Sequence, residues 1–133
     1  MNRKLVGVTA LLVAIPFYVQ ADAVSELEAE YQTQGAGPFS ATAGEALWNK
    51  TFVDAKTGKE RNCATCHSTD LTKQGKHART GKVIEPMAPS VNPKRYTEVK
   101  KIKTWFVRNC KWTLGRECTA QEKGDLLAFL KNL

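Results

Sequence analysis

Apolar residues in this chain form one long block followed by several spaced sets. The block is Leu5 to Val19, interrupted only by Gly7, Thr9 and Pro16. Arg3 and Lys4 precede it, and Ala21-Asp22-Ala23 follows. A basic start, an apolar stretch and an A-x-A site are the parts of a cleaved export leader. The run is about 15 residues long, short of the roughly 20 that a membrane-spanning helix needs. The pattern predicts a signal peptide over residues 1–23, a mature chain from Val24 and a periplasmic location; a membrane anchor is the alternative. An exported chain occupies a compartment that permits disulfides.

Beyond the leader, three helix starts share a polar cap followed three residues later by Glu: Ser25 with Glu28, Thr42 with Glu45, and Thr119 with Glu122. They predict helices ending near Gln32, Thr51 and Lys131, with a Gly- and Pro-containing linker over residues 34–38. In the second helix Gly44, Leu47, Trp48 and Thr51 share a face, and in the last Leu126, Leu127, Phe129, Leu130 and Leu133 form an apolar stripe. A helical Gly costs about 1 kcal/mol relative to Ala. Its place on the apolar face predicts that the last helix crosses there at close range.

Pro86, Pro89 and Pro93 punctuate an extended loop over residues 83–92. A further helix is expected from near Asn92 or Thr97 to about Cys110. Val99, Ile102, Trp105 and Phe106 lie on one side of it, and Asn109 is expected in the middle of that apolar face. No strand pattern and no repeat is visible. The expected organisation is all-α, with an N-terminal extension over residues 24–41 and one domain over 42–133.

With 133 residues, 42% of them hydrophobic and 25% charged, the chain has the composition of one globular domain and not of a disordered one. Its formal charge is +7, and the basic residues are clustered. From Lys73 to Arg116 there are twelve Lys or Arg, opposed within that stretch by Glu85 and Glu98. The patch reads either as a solvated face or as a docking surface for an acidic partner. No nucleic-acid partner is expected, because no recognition motif accompanies the charge.

Cys63-Ala64-Thr65-Cys66-His67 carries the strongest chemical signal. C-x-x-C-H is the attachment sequence of c-type haem. Two thiols at this spacing reach the two vinyl groups on one porphyrin edge, and the next residue brings an imidazole under the iron. A thioredoxin-like redox pair needs a βαβ context that the pattern lacks. A zinc site needs ligands that this chain does not group together. One covalent haem c is the expected cofactor.

Cys110 and Cys118 form a second pair, separated by seven residues. In an oxidising compartment they read as a local disulfide, the alternative being two free thiols. Closing so short a loop stabilises by about 2.6 kcal/mol on the chain-entropy model.

The sixth iron position has three candidates. Met87 is the only Met after the leader, and Met ligation is usual for electron carriers. His77 stands among Lys73, Lys76, Arg79 and Lys82. Asn109 adjoins Cys110 at the end of its helix, where Asn is also a common C-terminal residue.

Asn109-Cys110 followed by Cys118, downstream of Cys63–His67 and Met87-Ala88-Pro89-Ser90, resembles the sphaeroides haem protein family, which is related to cytochrome c″. The resemblance runs from about Thr42 to Leu133. It implies a class I cytochrome c-like helical fold around one covalent haem. Cys63 and Cys66 match the thioethers, His67 the proximal ligand and Asn109 the distal ligand, and Cys110–Cys118 matches the family disulfide. It also implies binding of O2, NO or CO by ferrous haem, and electron exchange with a dihaem cytochrome c and a membrane b-type cytochrome. An enzyme is not expected, since no acid–base His stands beside the motif. The alternative is a plain His/Met electron carrier.

Overall fold

A computed structural model describes residues 22–133, so residues 1–21 of the expected leader lie outside the described residues. The order is α1 (Ala23–Thr33), α2 (Ala41–Asn49), β1 (Phe52–Val53), β2 (Glu60–Arg61), α3 (Ala64–His67), β3 (Gly75–Lys76), β4 (Val83–Ile84), α4 (Val99–Leu114) and α5 (Ala120–Leu130). The expected helical organisation is the observed one. The strand pairs are two-residue antiparallel hairpins, β1 with β2 and β3 with β4. Pairs this short carry no alternation for the sequence to display.

Of the three expected caps, the last stands as read. Thr119 Oγ1 accepts from Glu122 N at 3.1 Å, and Glu122 Oε2 accepts from Thr119 N at 2.8 Å. The other two lie upstream of their expected places. Asp22 caps α1 through Val24 N and Ser25 N, at 2.9 and 3.0 Å. Ser40 caps α2 through Ala43 N at 3.2 Å. Ser25 and Thr42 therefore sit inside the helices they were expected to open.

The helix pair α2/α5 meets at Gly44. A Cβ there would collide with the carbonyl oxygen of Asp125 and approach Phe129 Cβ to 2.9 Å. Only Gly allows the two backbones so close. Asp125, itself buried, accepts from Ser40 N at 2.8 Å and from Gln121 Nε2 at 2.9 Å, which ties the start of α2 to α5.

Two apolar clusters make the core. One gathers Trp48, Leu71, Met87, Cys110, Cys118, Leu126 and Leu130, with Cys63, Tyr96 and Phe106 packed against it. The other joins Val24, Leu27 and Tyr31 of α1 to Ile102 and Leu127. The expected N-terminal extension is thus built into the same packed body as the rest. Burying Leu27 and Tyr31 contributes roughly 1.5–3 kcal/mol for each side chain of this kind. Helix α4 runs one turn past Cys110, to Leu114.

Candidate haem site

Cys63 to His67 forms a tight turn. Cys63 O accepts from His67 N at 3.1 Å, and Asn62 Oδ1 accepts from Thr65 N at 2.9 Å. Ser68 follows with φ 69°, a left-handed residue that turns the chain away. Gly75 backs the motif, since a Cβ at that position would collide with Cys66 O and lie 2.8 Å from His67 Cα. Ala78 N donates to Cys66 Sγ at 3.4 Å, so the β3–β4 hairpin lies directly on the motif.

His67 is mostly buried, with the Trp48 ring centroid 5.4 Å away. Burial, and secondarily the Arg95 charge, push its pKa down to about 4. Its Nδ1 is buried without a hydrogen-bond partner. A neutral imidazole with an unpartnered nitrogen suits iron, which takes the lone pair of an unprotonated nitrogen. Burial pushes the Cys63 thiol up to about 11. Among the described residues no group of three His, Cys, Asp or Glu is placed to hold a metal ion. The motif therefore fits a group joined to the thiols covalently, with His67 as its protein ligand.

The three candidates for the opposite position differ in how they are committed. Met87 is 8% exposed in the core cluster. Its N and Ala88 N both donate to Leu71 O at 3.0 Å, and its carbonyl accepts from Tyr96 Oη at 3.0 Å. His77 Nδ1 accepts from Arg79 N and Thr80 N, each at 3.2 Å, so this ring closes its own turn. Asn109 is exposed, and its carboxamide makes no hydrogen bond among the described residues. The buried row of α4 is Ile102, Cys110 and Thr113, with Phe106 half-buried, and Asn109 lies beside that row together with Trp105, which is 50% exposed. Cys110 and Cys118 are bonded with their Cα atoms 5.5 Å apart, immediately after Asn109.

Three residues that the sequence did not single out shape the surroundings. Arg95 Nε donates to Pro86 O at 2.7 Å, and its Nη2 donates to Glu85 O. Asn92 Nδ2 adds a second bond to Pro86 O at 3.2 Å. With Tyr96 on Met87 O, three successive carbonyls of the Pro-rich loop are clamped. Tyr96 does this at φ 58°, a strained conformation for a non-Gly residue that costs about 1–3 kcal/mol. Arg61, two residues before Cys63, donates to Trp112 O at 2.8 Å and pairs with Asp54 at 2.9 Å. Nothing in the local pattern marks Arg61, Arg95 or Tyr96, because their partners are remote in sequence.

The basic patch is also redistributed. Arg95 is taken by the loop. Lys101 pairs with Glu98 and Lys103 with Glu30, each at 2.6 Å, while Arg116 pairs with Glu122 at 2.7 Å. Lys73, Lys76, Arg79 and Lys82, on and around the β3–β4 hairpin, have no ion-pair partner among the described residues.

Residues 34–130 match a family described as a domain of unknown function, DUF1924. The chain is 42% identical over 106 residues to the cytochrome c-type protein SHP of Cereibacter sphaeroides, spanning 80% of this chain and 81% of that one. The structure of oxidised SHP, described as an oxygen-binding cytochrome c, superposes with a TM-score of 0.72 at 39% identity, over 83% of this chain and 96% of that one. A solution structure of cytochrome c″ from Methylophilus methylotrophus, described as giving insight into haem-ligand detachment, superposes with a TM-score of 0.66 at 35% identity, over 80% and 90% of the two chains.

Proposed function

The chain belongs to the SHP-like family of c-type cytochromes, which makes it a monohaem protein with covalent haem c, and we propose that it transfers electrons and admits O2, NO or CO to its iron upon reduction. Cys63 and Cys66 are the thioether residues in this reading, His67 the retained ligand and Asn109 the one that leaves. The observation that carries it is the difference in commitment among the three candidates. Met87 packs its side chain into the core cluster and His77 Nδ1 caps its own turn, whereas the Asn109 side chain stands clear of the core, one residue before the Cys110–Cys118 bond.

Haem c supplies a one-electron couple and an iron open to a sixth ligand. The residues of the chain decide how that position is used. A carboxamide oxygen is a hard, weak donor that suits ferric better than ferrous iron, so Asn109 would hold ferric iron and release it on reduction. His67, neutral and buried, would serve both states. The Cys110–Cys118 bond anchors α4 one residue after Asn109, so release of the ligand would be a side-chain movement on an anchored helix. The description of SHP as oxygen-binding and of cytochrome c″ as a case of haem-ligand detachment supports this reading.

Lys73, Lys76, Arg79 and Lys82, on and around the β3–β4 hairpin that lies on Cys66, have no ion-pair partner among the described residues, which supports a docking face for an acidic redox partner. A dihaem cytochrome c and a membrane b-type cytochrome are the proposed partners, in the periplasm. The test is one pair of visible spectra of reduced protein, with and without CO. A five-coordinate reduced haem that takes up CO at once is the expected result. A six-coordinate reduced haem that ignores CO would return the protein to the His/Met electron carriers.

A further inference from the structure

We propose that the leader is removed between Ala21 and Asp22, not after Ala23, and that Asp22 is the mature amino terminus. The proposal rests on the reading of residues 1–21 as an export leader and refines where it ends. The step is hydrolysis by a leader peptidase. Water adds across the Ala21–Asp22 amide, leaving a carboxylate on Ala21 and an α-ammonium on Asp22.

The folded chain uses Asp22 and Ala23. Asp22 adopts the extended cap conformation, φ −68° and ψ 163°. Its Oδ1 accepts from Val24 N at 2.9 Å and from Ser25 N at 3.0 Å, and its Oδ2 accepts from Ser25 Oγ at 3.1 Å. Its carbonyl takes the first helical bond, from Glu26 N at 3.0 Å. Ala23 and Val24 are 9% and 5% exposed, in the cluster that holds α1 against Ile102 and Leu127.

A cut after Ala23 discards all four of those hydrogen bonds and the buried Ala23 methyl. It also creates an α-ammonium on buried Val24, at the positive end of the α1 dipole, where a positive charge is disfavoured. A cut after Ala21 leaves the ammonium on exposed Asp22, outside the helix and next to its own carboxylate. The precursor sequence accommodates this bond. Val19-Gln20-Ala21 places Ala directly before it, and Pro16 breaks the apolar stretch five residues upstream of Ala21.

The test expresses the full precursor in a host that exports it and attaches haem, then reads the amino terminus by sequencing and intact mass. The expected start is Asp-Ala-Val-Ser. A start at Val24 overturns the proposal and leaves the export reading intact, whereas a retained leader overturns the export reading itself. A second measurement addresses the physical reason. Chains made to begin at Asp22 or at Val24 behind a foreign leader are compared by denaturant unfolding. The Val24 form should lose about fivefold in its folding equilibrium, the ordinary worth of a helix cap, and Asp22→Asn should keep it, since Asn caps as well as Asp. Equal stability of the two starts overturns the structural reason for the proposal.

Discussion

The guanidinium of Arg61 lies 4.6 Å from the centroid of the Trp112 ring and donates to the carbonyl of the same residue at 2.8 Å. The same Nη1 also pairs with Asp54 at 2.9 Å, both side chains being 20% exposed. Arg61 is two residues from Cys63, and Trp112 is three residues from Asn109. One side chain therefore connects the strand that leads into the haem-attachment turn with the helix end proposed to bear the detachable ligand.

Arg61→Met should destabilise the folded protein by about 1–3 kcal/mol, because Trp112 O and Asp54 lose a charged partner in a poorly hydrated place. Arg61→Lys should recover only part of it, since an ammonium cannot both stack and bridge as the planar group does. Denaturant unfolding measures the loss. The CO association rate should shift in the same variants if the connection tunes Asn109. Unchanged stability in both variants would show that the contact carries no weight.

Gly44→Ala provides a sign test for the α2/α5 crossing. Helix propensity alone makes Ala better by about 1 kcal/mol. The Asp125 carbonyl in the way makes it worse, by about 1–3 kcal/mol or more once the helices are forced apart. A lowered melting temperature and a lower yield of holoprotein are expected. A stabilised Ala variant would mean that the helices do not approach as described.

Asn109→His should give a six-coordinate, low-spin reduced haem that binds CO slowly, because imidazole serves both oxidation states. Met87→Ala should leave the ferric spectrum nearly unchanged while costing about 2–5 kcal/mol of stability as a core truncation. Loss of the ferric low-spin spectrum in Met87→Ala, with no effect of Asn109→Ala, would reverse the assignment.

Electron exchange with an acidic partner should slow steeply with added salt, since steering is screened over roughly 10 Å at 0.1 M. Charge reversal at Lys76 and Lys82 should reduce the association rate more than reversal at Lys101 or Lys103, which already pair with Glu98 and Glu30. Stopped-flow traces at several ionic strengths separate these cases. Rates indifferent to salt would mark the hairpin as an ordinary solvated face.

Acid stability should depend on Glu122. Hydrogen bonds from Arg116, then from Thr119, hold its carboxyl at about 2, against an ordinary value of 4.5. A carboxyl depressed in the folded state contributes stability that is present above pH 4.5 and lost as the pH falls toward 2. Arg116 is half exposed, so solvent screens the pair and the effect is modest. Glu122→Gln should lower stability near neutrality and flatten its decline between pH 5 and pH 2, as read from unfolding midpoints across that range. A variant with the wild-type slope would remove Glu122 from the acid transition.

Residue order alone was enough for the features set by short spacing. Cys63–His67 and the Thr119–Glu122 cap were legible because each depends on neighbours within one or two turns, and Gly44 because a Gly on the apolar face of a helix leaves room for a second backbone. The tertiary structure decided what depends on which surfaces meet. Asp22 and Ser40 are no better caps in isolation than Ser25 and Thr42. They prevail because α1 must present Leu27 and Tyr31 to Ile102 and Leu127, and because Asp125 holds Ser40 N from 85 residues away. Arg95 read as one cation of a patch, and it became a clamp because the Pro-rich loop brought two carbonyls to it. Asn109 and Trp105 are exposed while Ile102, Cys110 and Thr113 form the buried row of α4, a division that the spacing of apolar residues did not show. Periodicity assigns a side chain to a side of its helix, but the rotation of that helix against its neighbours is a packing outcome, and only the assembled core determines it.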